Sequence, residues 1–477
     1  MAQKRIVIIG AGLGGIAAAI KLKEAGHSDI QIFESNDKVG GTWADNQYPG
    51  AQCDVPIVLY QLSFAPSFKW SRIFASAPEI QAYCDELIDR YGLRAQLHLN
   101  SPVKSAHWNE SDKCWHIATQ QGENFEADIL VGALGQLNRP QLPSIEGRDT
   151  FAGPALHSAR WDKSIDWSGK RVGVIGSAAS AVQIVPELAK TGARVSVFQR
   201  TPNWLLPRND RLVPAEEMML MATNFAKALE HTEMTRRLIY ENADYFFWQA
   251  FQWTPEGRAA YTRMALNHLE AQVTDADLRA KLTPPYPIGC KRVLFCDDYY
   301  PALQRPNVSL ITTGIECIKP QGVVTNDGTL HELDMLVYAT GFETTEWKWS
   351  VDVTGLEGQH LNQIWAESVE AYLGIGVNGF PNLFLMYGPN TNLGHNSISF
   401  MLERQAEYIV KAVNSLDTQN AKAMHPDRGA QLRFNAKLQE DLSKTAWADP
   451  TTNNWYRNAK GRITQNWSSH TRDYADA

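Results

Sequence analysis

The chain has 477 residues, 44% apolar and 20% charged, a globular balance rather than a disordered one. At roughly 150 residues per domain it is long enough for about three. Its 45 basic and 52 acidic side chains give a net charge of −7, which argues against nucleic acid or an anionic membrane surface as the main partner. No window approaches the roughly 18 apolar residues of a spanning helix. Six cysteines (Cys53, Cys84, Cys114, Cys290, Cys296, Cys317) show no CxxC pair and no zinc spacing, so buried reduced thiols are expected.

Lys4 and Arg5 precede an apolar run from Ile6 to Ile20, the outline of a secretory signal. Its glycines contradict that reading. Ile6 to Ile9 predicts a buried strand, Gly10-Ala11-Gly12-Leu13-Gly14-Gly15 a turn, and a helix follows to about Ala25. Ile30 to Phe33 is the next strand, closed by Glu34, which stands 24 residues after Gly10. In GxGxxG one glycine makes the tight turn, one admits a pyrophosphate and one lets helix meet strand, while the helix N-terminus faces the anion. A dinucleotide unit and a cytoplasmic location are therefore expected.

A second unit begins at Arg171. Val172 to Ile175 is its strand, Gly176-Ser177-Ala178-Ala179-Ser180-Ala181 its turn, and a helix disturbed by Pro186 runs to about Lys190. Arg194 to Gln199 is the next strand. Arg200 then stands 24 residues after Gly176, the offset that Glu34 has from Gly10. An acid there suits a free ribose diol and a guanidinium suits a 2′-phosphate. The first unit is expected to hold FAD or NAD, the second NADPH. A shorter repeat supports the pairing: Asp128 to Gly135 and Asp334 to Gly341 share an Asp, an apolar strand and a turn ending in Gly.

Residues 211–283 lack strand alternation and predict a helical insertion. Its aromatic run (Tyr245, Phe246, Phe247, Trp248, Phe251, Trp253) reads as helix packing in preference to a substrate entrance. The resulting fold class is α/β, a flavoprotein with two Rossmann-like dinucleotide-binding domains and a helical insertion. Residues 1–142 and 337–477 form its FAD-binding domain, and 143–336, with the insertion at 211–283, its NADPH-binding domain. Asp297-Asp298 reads as a solvated turn, and the spacing of His98, His107 and His116 suits no metal.

Phe151-Ala-Gly153-Pro-Ala-Leu-His157-Ser-Ala-Arg-Trp161-Asp162 fits FxGxxxHxxxW followed by Pro or Asp, just before the second turn. Gly41-Thr42-Trp43 through Tyr48-Pro49-Gly50 to Asp54 fits GxWxxxx(F/Y)PGxxxD. Together they resemble the fingerprints of type I Baeyer–Villiger monooxygenases. Gly388-Pro389-Asn390-Thr391, His395-Asn396-Ser397 and Asn454-Trp455-Tyr456 are similar to that family as well.

The resemblance implies roles. FAD would lie on Gly10, Gly12, Gly14, Gly15 and Glu34, with Thr42, Trp43, Asp54, Tyr60, Val103 and Ile398 completing its site. NADPH would lie on Ser177, Ala178, Ala179, Ser180, Ala181 and Gln183, with Arg200, Thr201 and Lys291 on the 2′-phosphate. Trp455 would flank nicotinamide and substrate. Arg292, oriented by Asp54, would be the active-site cation. The implied reaction inserts one oxygen of O2 beside a ketone carbonyl through a flavin C4a-peroxide, giving an ester or lactone. His157 would transmit domain position. Two departures stand out: Ala178 replaces the usual middle glycine, and Gln52 stands where an Arg is common. The alternatives are a flavin monooxygenase acting on nitrogen or sulfur, an NADPH-dependent flavin reductase and a non-catalytic flavoprotein; the missing CxxC removes a disulfide reductase.

Overall fold

Two parallel sheets organise the chain. The computed structural model describes residues 3–477 apart from 215, 217, 218, 220–223 and 253. In the first sheet Ile6–Ile9 lies between Ile30–Phe33 and Ile129–Gly132, with Leu97–His98 and Leu383–Leu385 at the edges. In the second, Arg171–Ile175 lies between Arg194–Phe198 and Met335–Tyr338, with Val308–Ile311 and Ala155–His157 at the edges. The central strands are unbroken apolar runs because both faces of a parallel sheet are covered. A smaller sheet accompanies each: Val103–Asn109, Cys114–Thr119 and Asn124–Ala127 with Asp352–Thr354, and Ile315–Lys319, Gly322–Thr325 and Leu330–Glu332. The fold is α/β, with two Rossmann-like halves and a helical insertion.

The short repeat has a physical basis. Asp128 accepts from the backbone N–H (2.8 Å) and guanidinium (2.9 Å) of Arg5, and Asp334 does the same for Arg171 at 2.9 and 2.7 Å. Glu126 and Glu332, each two residues earlier, hold another nitrogen of the same arginine. Each pair fastens the start of a central strand to its returning neighbour. Gly10 (φ +106°) and Gly176 (φ +116°) close the equivalent turns; a Cβ there would stand 2.4 and 2.3 Å from the carbonyls of Ala133 and Ala339, so only glycine fits.

The two turn helices are Leu13–Glu24 and Ala181–Lys190. Pro186 cannot donate to the Val182 carbonyl. The Cys296 sulfur lies 3.6 Å from that oxygen and 3.3 Å from Asp298 Oδ1, so its one proton is within reach of either acceptor.

Two expectations are corrected, and the insertion's packing is added to them. Met335–Tyr338 belongs wholly to the second sheet, so a boundary between 336 and 337 would cut it; the chain leaves this half after Tyr338. Asp297 is no solvated turn: its carboxylate accepts from the backbone of Arg208, Asn209 and Asp210 at 2.8 to 3.2 Å. The insertion's helices, Phe225–Asn242, Trp248–Phe251, Pro255–Gln272 and Ala276–Leu282, do not pack on their own half alone. Trp248, Phe251 and Tyr261 share a core with Leu442, Trp447 and Tyr456 of the C-terminal region. Of the aromatic run, Tyr245 and Phe246 are exposed, and Trp253 lies outside the described residues.

Candidate active site

Both glycine turns open into one cleft of about 1780 Å³ between the two sheets. Its walls include Gly10, Gly12, Gly14, Glu34, Thr42, Trp43, Asp54, Tyr60, Val103 and Ile398. Ser177, Ala178, Ala179, Ser180, Gln183, Arg200, Thr201, Lys291, Arg292 and Trp455 line the same space. Gly15 and Ala181 do not. A Cβ on Gly15 would stand 1.9 Å from the Gly10 carbonyl, so this glycine serves helix–strand contact. Ala181 holds the equivalent place in the second unit and is fully buried.

The first turn fits a flavin dinucleotide. Gly12 and Gly41 face each other, and a Cβ on either would lie 3.6 or 3.1 Å from the other's Cα, leaving a strip walled by bare backbone. Glu34 is buried and accepts from the N–H of Ala11 (2.8 Å) and Asn36 (2.9 Å) and from the Ser35 hydroxyl (3.1 Å). These bonds set the carboxylate at the cleft wall, and a carboxylate has lone pairs to spare for a diol. The indole N–H of Trp43 donates to Tyr60 Oη at 3.2 Å, fixing both rings.

The second turn fits a phosphorylated dinucleotide. Ala178 and Ala179 are exposed to the cleft. Ser177 Oγ donates to the Thr201 carbonyl at 3.0 Å, joining the turn to the end of the next strand. Arg200 is exposed and Lys291 half-buried, its ammonium 4.7 Å from the centre of the Tyr286 ring. Burial pulls the Lys291 pKa down, and the Arg200 charge pulls it further. Two cations that disfavour each other are the donor set that a phosphate would stabilise. The methyl of Ala178 tests the fit: Ala178→Gly is expected to leave NADPH affinity unchanged or tighter in a fluorescence titration. A large loss would show that the turn is built around alanine.

Gln183, expected among the cofactor ligands, lines the cleft and also joins the halves. Its Oε1 accepts from Tyr48 Oη (2.9 Å) and, at 3.4 Å, from the Gln52 N–H, while its Nε2 donates to the Gln52 carbonyl (2.9 Å). Gln52 thus contributes backbone at the place where an arginine side chain is common.

Arg292 Nη2 lies 2.6 and 2.7 Å from the two carboxylate oxygens of Asp54, and Nε lies 3.2 Å from Oδ2. The Asp54 charge raises the already high pKa of Arg292, outweighing burial, so the guanidinium stays charged. Nη1 has no hydrogen bond among the described residues, and the side chain keeps 34% exposure in the cleft wall. The arrangement presents an oriented, permanently charged donor to whatever occupies the space.

His157 lies behind the cleft. Its Nδ1 accepts from the Ala159 N–H (3.1 Å), which leaves the Nε2–H to donate to the Gly341 carbonyl (2.9 Å). The ring holds the strand that returns from the second half. Burial lowers its pKa, which keeps it neutral.

Sequence reasoning missed several cleft residues. Tyr387, Asn392 and Asn396 follow the strand Leu383–Leu385, and the two segments after Gly135 and Gly341 line the cleft side by side. The Gly-Pro-Asn-Thr and His-Asn-Ser stretches and the Gly-ended repeat were their only signals.

The paired sheets and shared cleft define a two-dinucleotide oxidoreductase, and residues 7–234 match the model of the pyridine nucleotide-disulphide oxidoreductase family. All six cysteines carry free thiols, five of them buried. A Baeyer–Villiger monooxygenase of Streptomyces coelicolor is 39% identical over 98% of this chain and 90% of its own. Among solved structures, OTEMO in complex with FAD and NADP superposes with a TM-score of 0.88 at 27% identity, covering 99% of this chain and 96% of that one. Cyclohexanone monooxygenase from a Rhodococcus species, bound to NADP+, gives 0.87 at 28%, covering 99% and 96%. The chain belongs to the Baeyer–Villiger monooxygenase family and is a flavoprotein monooxygenase.

Proposed function

We infer that this protein is an FAD- and NADPH-dependent Baeyer–Villiger monooxygenase that converts a ketone to an ester or lactone with one oxygen atom of O2. The observation that carries the reading is the Arg292–Asp54 pair in the cleft that both glycine turns share. In this reading the half formed by residues 1–142 and the chain after Tyr338 binds FAD, and residues 143–338 bind NADPH. When bound, the flavin supplies reducing equivalents from NADPH to activate dioxygen.

The protein's own contribution is electrostatic and positional. Asp54 orients the guanidinium before any substrate arrives, and Arg292 Nη1 donates to the ketone oxygen where negative charge develops. A preorganised cation costs no reorganisation at that moment and has no proton to lose. Trp455, its ring centroid 4.9 Å from that of Tyr456, walls the site and excludes water.

The test is direct. The FAD-loaded protein is incubated with NADPH, air and a panel of cyclic, aliphatic and aryl ketones plus a thioether, and products that gain one oxygen are read by mass. Ester or lactone from at least one ketone is expected. Sulfoxide without any ester would replace this reading with a sulfur- or nitrogen-oxygenating one.

A further inference from the structure

Asp244 is a buried carboxylate that the reaction above does not use. It sits in the π-helical turn Ala243–Phe247, which joins two insertion helices. Such turns interrupt the helical ladder and re-aim side chains. The side chain is 2% exposed, and its Oδ1 collects donors from two distant segments. His395 Nε2 lies at 3.1 Å, and the Thr471 N–H and hydroxyl both donate at 2.9 Å. Asn396 Nδ2 adds a long contact at 3.4 Å. His470 Nδ1 and Arg472 Nε each lie 3.8 Å from Oδ2, and His470 also reaches the Asp244 carbonyl at 2.6 Å. One carboxylate therefore ties the insertion to the 392–397 loop and to the C-terminal helix Thr471–Asp476.

That loop is part of the cleft. Asn392, Leu393, Asn396 and Ile398 line it, whereas His395 turns away, fully buried against Trp248. The two ends of the loop are held independently. Asn392 accepts from Tyr387 Oη at 2.6 Å and donates to Asn466 at 2.6 Å, and Ser397 Oγ donates to the Leu59 carbonyl at 2.6 Å. Between these anchors, among the described residues, the polar attachments to other segments are the ones to Asp244 and a 3.4 Å contact from Asn396 to the Tyr240 carbonyl, while Asn396 Oδ1 accepts from the Ser397 N–H within the loop at 2.8 Å.

We propose that Asp244, acting through His395 and Asn396, is a positioning residue that sets the cleft-facing shape of the 392–397 loop and so the fit and orientation of the substrate. The inference rests on the monooxygenase reading of the cleft. It predicts that the insertion shapes the substrate space from behind, without touching it.

Asp244→Ala and His395→Ala remove the tie from its two sides. Each is expected to speed amide exchange of the 390–398 segment, read by mass spectrometry without substrate or NADPH, by about 10-fold or more, the scale of losing a hydrogen bond to a charged group. Each is also expected to raise KM for the accepted substrate while kcat changes less, and to alter the enantiomer ratio of the sulfoxide formed from a prochiral thioether. FAD content and the rate of flavin reduction by NADPH without substrate should match wild type, because neither Asp244 nor His395 lines the cleft and Ile398 is held through the separate Ser397 anchor. Asp244→Asn, which keeps an acceptor oxygen in place, should restore most of the exchange protection and the enantiomer ratio. A folded, FAD-loaded Asp244→Ala or His395→Ala with wild-type exchange in 390–398 and an unchanged enantiomer ratio would overturn the proposal. If Asp244→Ala does not fold, His395→Ala decides. A wild type that makes sulfoxide but no ester overturns the function and leaves this test intact, since exchange and sulfoxide ratio do not depend on ester formation.

Discussion

Arg292→Ala is expected to stop ester formation. Removing one preorganised charge-stabilising group typically costs about 10²–10³ in rate. The loss here should reach the upper part of that range, because the variant also strands the Asp54 carboxylate, which is 19% exposed and otherwise held at 2.6 Å. An uncompensated negative charge would then face the place where negative charge must develop. FAD content should survive, since the Gly12–Gly41 strip and the hydrogen bonds that set Glu34 are built without Arg292. NADPH oxidation should slow and remain measurable, its electrons appearing as hydrogen peroxide. Lysine should rescue little, because a flexible ammonium cannot reproduce the fork in which Nη2 and Nε both engage Asp54. The measurement is a paired balance of NADPH consumed against ester and peroxide formed. Ester at near wild-type yield from the alanine variant would remove Arg292 from the reaction.

Arg200→Ala is expected to weaken NADPH binding strongly and leave NADH nearly unchanged. A charge-assisted bond to the 2′-phosphate is worth about 1.5–3 kcal/mol, or roughly 10- to 150-fold in affinity. The effect should fall on NADPH alone, since NADH presents a hydroxyl there. Lys291 should soften the loss: removing the neighbouring Arg200 charge lifts one of the two influences that lower the Lys291 pKa, so the ammonium is more firmly protonated in the variant. Lys291→Ala should show the same selectivity with a smaller loss, and the double variant the largest. Equal losses for NADPH and NADH on Arg200→Ala would mean that its role is structural.

Much of the site was legible because dinucleotide units are local. Gly10 and Gly176, the acid or arginine 24 residues later and the returning strands ending at Gly135 and Gly341 follow from turn geometry and the period of buried strands. The duplicated arginine–aspartate clasp, Arg5–Asp128 and Arg171–Asp334, shows why the repeat was so clear: each half solves the same packing problem with the same residues. Arg292 and Asp54 were legible only through resemblance to a family. Taken alone, two opposite charges 238 positions apart read as ordinary surface residues.

The sequence by itself determined two glycine turns, the acid and the arginine set 24 residues after them and a helical insertion, because these depend on residues close together in the chain. Only the tertiary structure decided where the insertion goes. Its polar and apolar pattern marks helices but not which face meets which partner, and Asp244 finds His395 and Thr471 across 151 and 227 positions. Tertiary contact likewise gave Gln183 a tie between the halves that its place in the second turn did not announce, and turned Asp297 from a solvated turn into an acceptor for three backbone N–H groups. In each case the reason is the same. A buried polar group must find a partner wherever packing places one, and that place is set by the shape of the whole fold.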